Sequence, residues 1–305
     1  MNPINQTNSV NKAQALEGFI RSGIKPGETV LIHSALRPFG FVEGGAHTIA
    51  EALIEAVGTD GTVVAPAFTF IHETEEYPVI DPVKDKSEMG AISEAIRKLP
   101  GALRSAAYRH SFSAVGPNAG FITGVDLELP VFDMLSSFGR MLGLDTRIVM
   151  AGLTYVSCTS HHFGEYLVKV PCRHTIERKV RLKRPDGILE ERVMTDYQPK
   201  PNSSGSYYEH PHDFDKIGKM LEEASLVTIG SIGNAVIRTF KMRDLIHFII
   251  DNYPLHPDLF FQDESSEEPT RLASGVSIFT GDLPDGAGRL VETFWSCIDP
   301  GLMYK

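Results

Sequence analysis

Apolar residues recur along this chain in two rhythms. One is the short unbroken run of a buried strand: V-L-I-H-S at 30–34, T-V-V-A-P-A-F at 62–68 and R-I-V-M-A-G-L at 147–153. The other is helical. Residues 13–23 read as a short helix closed by Gly23. From His47 to Val57, Ala50, Leu53, Ile54 and Val57 share one face. Gly58-Thr59-Asp60-Gly61 marks a turn between that helix and the second strand. Strand, helix and strand thus follow one another from Val30 to Phe68, which predicts a βαβ crossover. Residues 88–98 and 160–167 add helices, and S-F-S-A-V-G at 111–116 adds a strand.

The texture changes after residue 175. Residues 176–194 alternate around Arg184-Pro185-Asp186-Gly187, a hairpin signal with Asp-Gly at its centre. Residues 195–213 are polar and read as an exposed loop. A helix over 215–225, a strand in L-V-T-I-G-S-I-G and a helix over 242–252 follow, then an acidic loop at 262–270. With no repeat and no linker, the expectation is a single domain over 1–305, with 1–12 as a flexible tail. The expected class is α/β: a central mixed, largely parallel sheet flanked by helices, with a small antiparallel β insertion.

Charge narrows the partners. The 29 Lys and Arg stand against 39 Asp and Glu, a net −10. That disfavours nucleic acid, whose binders carry basic faces, and is compatible with a small cationic substrate. Cys158, Cys172 and Cys297 form no C-x-x-C pair, which points to a reducing compartment. No leader pattern and no apolar run of membrane length is visible, so the expected location is cytoplasmic, with no membrane partner.

The densest chemistry is T-S-H-H-F-G-E at 159–165. On a helix, His162 and Glu165 stand at i and i+3 on one face. A carboxylate on one imidazole nitrogen fixes the tautomer and raises the basicity of the other, which makes His162 a general base. Thr159 or Ser160 is placed to cap the helix. A zinc reading competes, with His161, His162 and Glu165 as ligands and His210 and His212 able to add to them; the hydrolase form of it uses His161, His162 and His210. It requires the E-H-P-H-D loop (209–213) to fold back, and H-H-F-G-E matches no zinc-protease motif. R-H-S-F-S-A-V-G at 109–116 offers His110 and Ser111. I-H-S-A-L at 32–36 offers Ser34 and backbone N–H groups for a developing oxyanion. There is no P-loop, no G-x-G-x-x-G and no G-x-S-x-G.

In their order and spacing these segments resemble the aminoglycoside 3-N-acetyltransferase family, the antibiotic N-acetyltransferases. The likeness runs through V-L-I-H-S-A-L (30–36), G-G-A-H-T-I-A-E-A-L (44–53), G-T-D-G-T-V-V-A-P-A-F-T (58–69), E-M-G-A-I-S-E-A-I-R (88–97), P-G-A-L-R-S (100–105), H-S-F-S-A-V-G (110–116) and T-S-x-H-x-x-E (159–165). It implies an α/β fold distinct from the GNAT fold. It also implies direct transfer of acetyl from acetyl-CoA to an amine, with no metal. His162 carries over as the base, Glu165 as its orienter, and His110 near the reacting centre. Ser34, Ala35, Leu36, Thr69, Arg104, Ser105 and Ser111 carry over to the coenzyme cleft.

A small cationic amine and coenzyme A are the implied partners, and a homodimer is compatible with the family. A polycationic acceptor needs carboxylates: Asp263, Glu264, Glu267 and Glu268 of the acidic loop, or Glu73, Asp81 and Asp85 nearer the matched core. Three departures put the acceptor in question. Ala107-Tyr108 stands where relatives show His-Pro, Ala35 stands for a usual serine, and Cys172 replaces a usual aromatic after Pro171. Another amine or amino sugar is the alternative acceptor.

Overall fold

The computed structural model describes residues 9–200 and 212–262. The chain enters through Val10, which is buried and bridges Val42. Asn11 then caps α1 (Lys12–Arg21). Its side chain accepts from the Gln14 N–H at 2.9 Å, and Gln14 Oε1 accepts from the Asn11 N–H at 2.9 Å. Residues 10–12, expected in a flexible tail, are therefore tied down.

The first βαβ unit is β1 (Thr29–Ser34), α2 (Ala46–Val57) and β2 (Thr62–Pro66), and every residue of both strands is buried. Then come β3 (Val79–Ile80), α3 (Ala91–Arg97), β4 (Leu103–Arg104), β5 (Phe112–Val115), α4 (Ala119–Thr123), α5 (Ser137–Gly143), β6 (Arg147–Ala151) and α6 (Ser160–Leu167). The rest is β7 (Arg173–Lys183), β8 (Leu189–Pro199), α7 (Phe214–Glu223), β9 (Thr228–Ile232), β10 (Ala235–Lys241) and α8 (Met242–Asn252).

Among the described residues the main sheet has seven strands in the order β4-β5-β2-β1-β6-β10-β9. It is mixed, as expected, but its parallel part is confined to the centre. β1 pairs in parallel with β2 and β6, and every outer pairing is antiparallel. The cause is local. β9 and β10 are joined by the two-residue Gly233-Asn234 turn, with Gly233 at φ +56, so they form a hairpin rather than a crossover.

Side chains of β1 alternate between two apolar layers. Val30 and Ile32 pack with Ala15, Phe19, Ile49 and Leu53 of α1 and α2. Leu31 packs in the other layer with Phe138, Phe163 and Ile249 of α5, α6 and α8. Gly164 lets α6 lie close to α8, since a Cβ there would come within 2.5 Å of Ile249 Cδ1.

A second, three-stranded sheet has the order β3-β7-β8. The expected insertion is present and longer than its pattern suggested, pairing Arg173 with Pro199 at its far end. The expected exposed loop over 195–213 is corrected at its start, because residues 195–199 belong to β8 and Asp196 is fully buried.

Candidate active site

The three parallel strands end along one edge, at Ser34, Pro66 and Ala151. The chain leaves β1 for β2 on one side and later returns to β6 on the other. Crevices at such a reversal, beyond the carboxyl ends of the strands, are where open α/β sheets take ligands. The loops after β1 and β6 meet there. Ala35 N–H donates to Ala151 O at 3.0 Å, and Gly152 (φ +70) leaves room that a Cβ would fill 3.0 Å from Ala35 O.

The loop after β6 delivers α6. Thr159 occupies its N-cap position, yet neither Thr159 nor Ser160 makes the expected side-chain cap, and Ser160 Oγ is buried with no partner. His162 lies in the first turn and Glu165 one turn later. His162 Nδ1 donates to Glu165 Oε2 at 2.6 Å. Because a carboxylate only accepts, the proton sits on Nδ1 and Nε2 keeps its lone pair.

Glu165 is fully buried. Its Oε1 accepts from His212 Nε2 at 2.8 Å, and Arg173 Nε lies 3.0 Å from Oε2. Burial alone would raise this carboxyl. The donors His162 and His212 and the Arg173 charge outweigh it and hold Glu165 well below the ordinary carboxylate range. For His162 the balance runs the other way: burial lowers it, and the upward pull of Glu165 does not compensate. The expectation that the carboxylate lifts the base above its ordinary value is thus corrected.

His161 takes no part. It is fully buried, Nδ1 bonds Cys158 O at 2.9 Å, and its ring stacks on Phe214 at 4.6 Å. This removes it from the expected zinc set, and His210 lies outside the described residues. His162, Glu165 and His212 do converge, with ligand atoms within 4.8 Å of one another. The 2.6 and 2.8 Å contacts and the guanidinium on the same carboxylate make this a hydrogen-bond network, since Arg173 repels a second cation.

A second group forms at the ends of β2 and β4. Arg104 Nη2 donates to Ala67 O at 2.6 Å, to Thr69 Oγ1 at 2.9 Å and to Ser111 Oγ at 3.2 Å, while Nη1 donates to Asp85 O. Thr69, Arg104 and Ser111 are therefore together. Among the described residues no hydrogen bond joins them to His162. Ser105 Oγ accepts from the Phe112 N–H at 2.9 Å and so holds β4 to β5. Ser34 is buried with Oγ unpartnered, Ala35 has spent its N–H on Ala151, and Leu36 precedes a short 3-10 turn over Arg37–Phe39.

His110 is buried among Phe68, Phe132 and Phe138, with ring centroids 5.1, 5.1 and 6.1 Å away. Its Nδ1 has no hydrogen bond and lies 4.0 Å from Asp196 Oδ1. Burial, then the nearby His162, Arg109 and Arg173 charges, push His110 well below its ordinary value.

The carboxylates expected for a cationic acceptor are engaged elsewhere. Glu73 pairs with Arg109 at 2.9 Å, Asp85 with His72 at 2.9 Å and Asp81 with Lys183 at 3.1 Å. Asp263, Glu264, Glu267 and Glu268 lie outside the described residues. Sequence reasoning missed Arg173 and Asp196. The signal for Asp196 was its place two residues after Met194, on the inward face of β8.

Residues 31–253 match the family model described as aminoglycoside 3-N-acetyltransferase. The chain belongs to this family. Its members are acyltransferases, and this chain is one of them. It is 28% identical over 252 residues to the aminoglycoside N(3)-acetyltransferase IV of Salmonella sp, covering 82% of this chain and 89% of that relative. A variant of aminoglycoside acetyltransferase AAC(3)-IVa solved in complex with a gentamicin superposes with TM-score 0.70 at 26% identity, over 85% of this chain and 94% of the other. AAC-IIIb, solved as a binary complex with CoASH, shares the fold with TM-score 0.69 at 19% identity, over 85% of this chain and all of the other, 100%. Among the described residues of this acetyltransferase-family chain, no helix is long and apolar enough to cross a membrane.

Proposed function

We propose that this chain moves acetyl from acetyl-CoA to an amino group of an aminoglycoside by direct transfer, with His162 as general base and Glu165 as its orienter. The observation that carries this reading is the 2.6 Å bond from His162 Nδ1 to a fully buried carboxylate, which leaves Nε2 as the proton acceptor. Kept neutral by burial, His162 takes a proton from the attacking amine as the new C–N bond forms. The thioester oxygen gathers charge, the C–S bond breaks, and the proton passes from His162 to the departing thiolate. Positioned bases of this kind contribute roughly 10²–10⁴-fold.

Ser34 Oγ, buried and unpartnered at the end of β1, is the donor proposed for the thioester oxygen. Arg104 forms no ion pair among the described residues, so its charge is available to a coenzyme phosphate, with Thr69 and Ser111 beside it. His110 is proposed to wall the acceptor side. A second reading keeps the chemistry and changes the acceptor to an amine of lower charge. The internal pairing of Glu73, Asp81 and Asp85 favours it, because those carboxylates are not free to meet several ammonium groups.

The test is thiol release from acetyl-CoA with a panel of aminoglycosides, amino sugars and simple amines, the wild type beside His162→Ala. Release with aminoglycosides that the variant loses supports the first reading. Release only with other amines selects the second. No binding of acetyl-CoA would end both.

A further inference from the structure

The reaction proposed above uses one oxygen of Glu165, and two groups that it leaves unused hold the carboxylate from other elements. Arg173 reaches Glu165 from the start of β7, and His212 from the position before Asp213, the cap of α7. The aim of His212 is fixed by its surroundings. Its backbone bridges Phe261, and its ring lies on Phe261 at 5.5 Å and 27° and against Phe214 at 4.9 Å. The next residue is anchored too, with the Asp213 N–H donating to Phe260 O at 2.9 Å and its side chain accepting from the Lys216 N–H at 3.1 Å. A solvated surface histidine would have neither anchor.

A buried carboxylate divides its charge among its donors. Each hydrogen bond drawn to Glu165 from elsewhere leaves less pull on the Nδ1–H of His162. Resting on the reading of His162 as the base, we propose that His212, backed by Arg173, is a positioning residue that fixes Glu165 and sets the pH at which His162 becomes a base. Nε2 of His212 also lies 3.3 Å from Arg173 Nη2, but a nitrogen whose proton goes to the carboxylate cannot accept from the guanidinium. The 2.8 Å bond to an ionised acceptor is the stronger of the two.

Around His162, Glu165 favours protonation, while Arg173 from β7 and His212 from the α7 side oppose it. His161 on α6 and His110 before β5 are the other imidazoles that feel its charge. Through His212, the capped start of α7 is thereby coupled to the base.

Two readouts test this. One is the NMR titration of the His162 ring in the intact resting protein, and the other is the acidic limb of kcat/KM against pH. In His212→Ala the His162 pKa rises by roughly half a unit to one unit, the part of a charge-assisted bond transmitted through one carboxylate. The acidic limb moves up with it, and KM for the coenzyme does not change. His212→Asn, whose amide replaces Nδ1 rather than Nε2, shifts the same way and serves if the alanine variant does not fold. His212→Gln, whose amide nitrogen reaches the place of Nε2, stays near the wild type. An unmoved His162 in both Ala and Asn variants overturns the proposal, as does a Gln variant that shifts with them. The titration needs no turnover. It therefore stands apart from the base reading, which falls if His162→Ala retains full activity.

Discussion

Glu165→Gln removes one charge and almost no volume. Two hydrogen-bond donors and one guanidinium meet at Glu165: His162 Nδ1 at 2.6 Å, His212 Nε2 at 2.8 Å, and Arg173, whose Nε lies 3.0 Å from Oε2 as an ion pair. An amide has one accepting oxygen and one donating nitrogen, so it cannot accept from both histidines, and it carries no charge to set against Arg173. The stability effect comes from Arg173, whose side chain is 8% exposed. A buried charge stripped of its partner costs about 3–5 kcal/mol. Arg173 keeps the Tyr197 ring at 5.5 Å and Tyr197 O at 3.4 Å, which puts the loss near the lower end.

The effect on catalysis comes from the tautomer. A glutamine NH₂ turned toward Nδ1 donates to it and moves the ring proton to Nε2, where the base must be free. The rate then falls by at least ~10²-fold in kcat, the lower bound for losing a positioned base. KM for the coenzyme stays within about 2-fold, because Glu165 acts only in the transition state. Thiol release gives the kinetic arm and urea unfolding the stability arm. A kcat within about 3-fold of wild type would refute the reasoning, whatever the unfolding shows.

Acid is expected to weaken this fold through its neutral histidines. Burial lowers His33 to about 3 and His161 to about 4 from 6.5, and takes His110 well below its ordinary value. Each is lowered in the fold, so the unfolded chain binds more protons and stability falls as pH drops below 6.5. At pH 5.5 His33 and His161 each cost roughly 1–1.5 kcal/mol, about 3 together, and His110 acts in the same direction, which urea midpoints at pH 7.5 and 5.5 would measure. Glu28→Gln removes the clamp on the starts of β1 and β6 and the end of β10, where Glu28 meets Arg147 at 2.8 Å and Lys241 at 3.0 Å. Burial would raise this carboxyl, but Arg147 and Lys241 take it down to about 2. Its contribution, about 2–3 kcal/mol after solvent screening, is therefore full above pH 4.5 and lost as pH falls through 2, and unfolding at pH 7 should show that loss in the variant.

The parts of this site that could be read from the sequence are those made by neighbours along the chain. His162 and Glu165 are legible because a helix places i and i+3 together whatever surrounds it. The strands at 30–34 and 147–151 are legible because burial on both faces leaves unbroken apolar runs. Arg173 and His212 meet the same carboxylate from β7 and from the far side of the hairpin, 47 residues downstream for His212, and no periodicity records that. β10 was missed for a related reason. Its buried positions alternate with exposed or half-exposed Val236 and Arg238, so it lacks the run that marks a central strand. Asp196 hid inside a hairpin whose ends the turn signal did not reach.

The pH profile of turnover above the His162 limb separates the two acceptor readings. An acid beside a base suggests an upward shift when the pair is imagined in water. Here the same packing that joins them removes solvent from both and adds Arg173, and the base is lowered instead. A lowered base places its own acidic limb below its ordinary value, and above that limb the acceptor's protonation limits the reaction. An isolated alkylammonium, with a pKa near ~10, is almost wholly protonated at pH 7. An amine crowded by other ammonium groups loses its proton more readily, because like charges disfavour the charged form. Aminoglycosides carry such crowded amines and simple amines do not. The first reading therefore expects turnover to follow the acceptor's own pKa down to near neutral pH. Under the second, turnover above the His162 limb climbs steadily toward high pH.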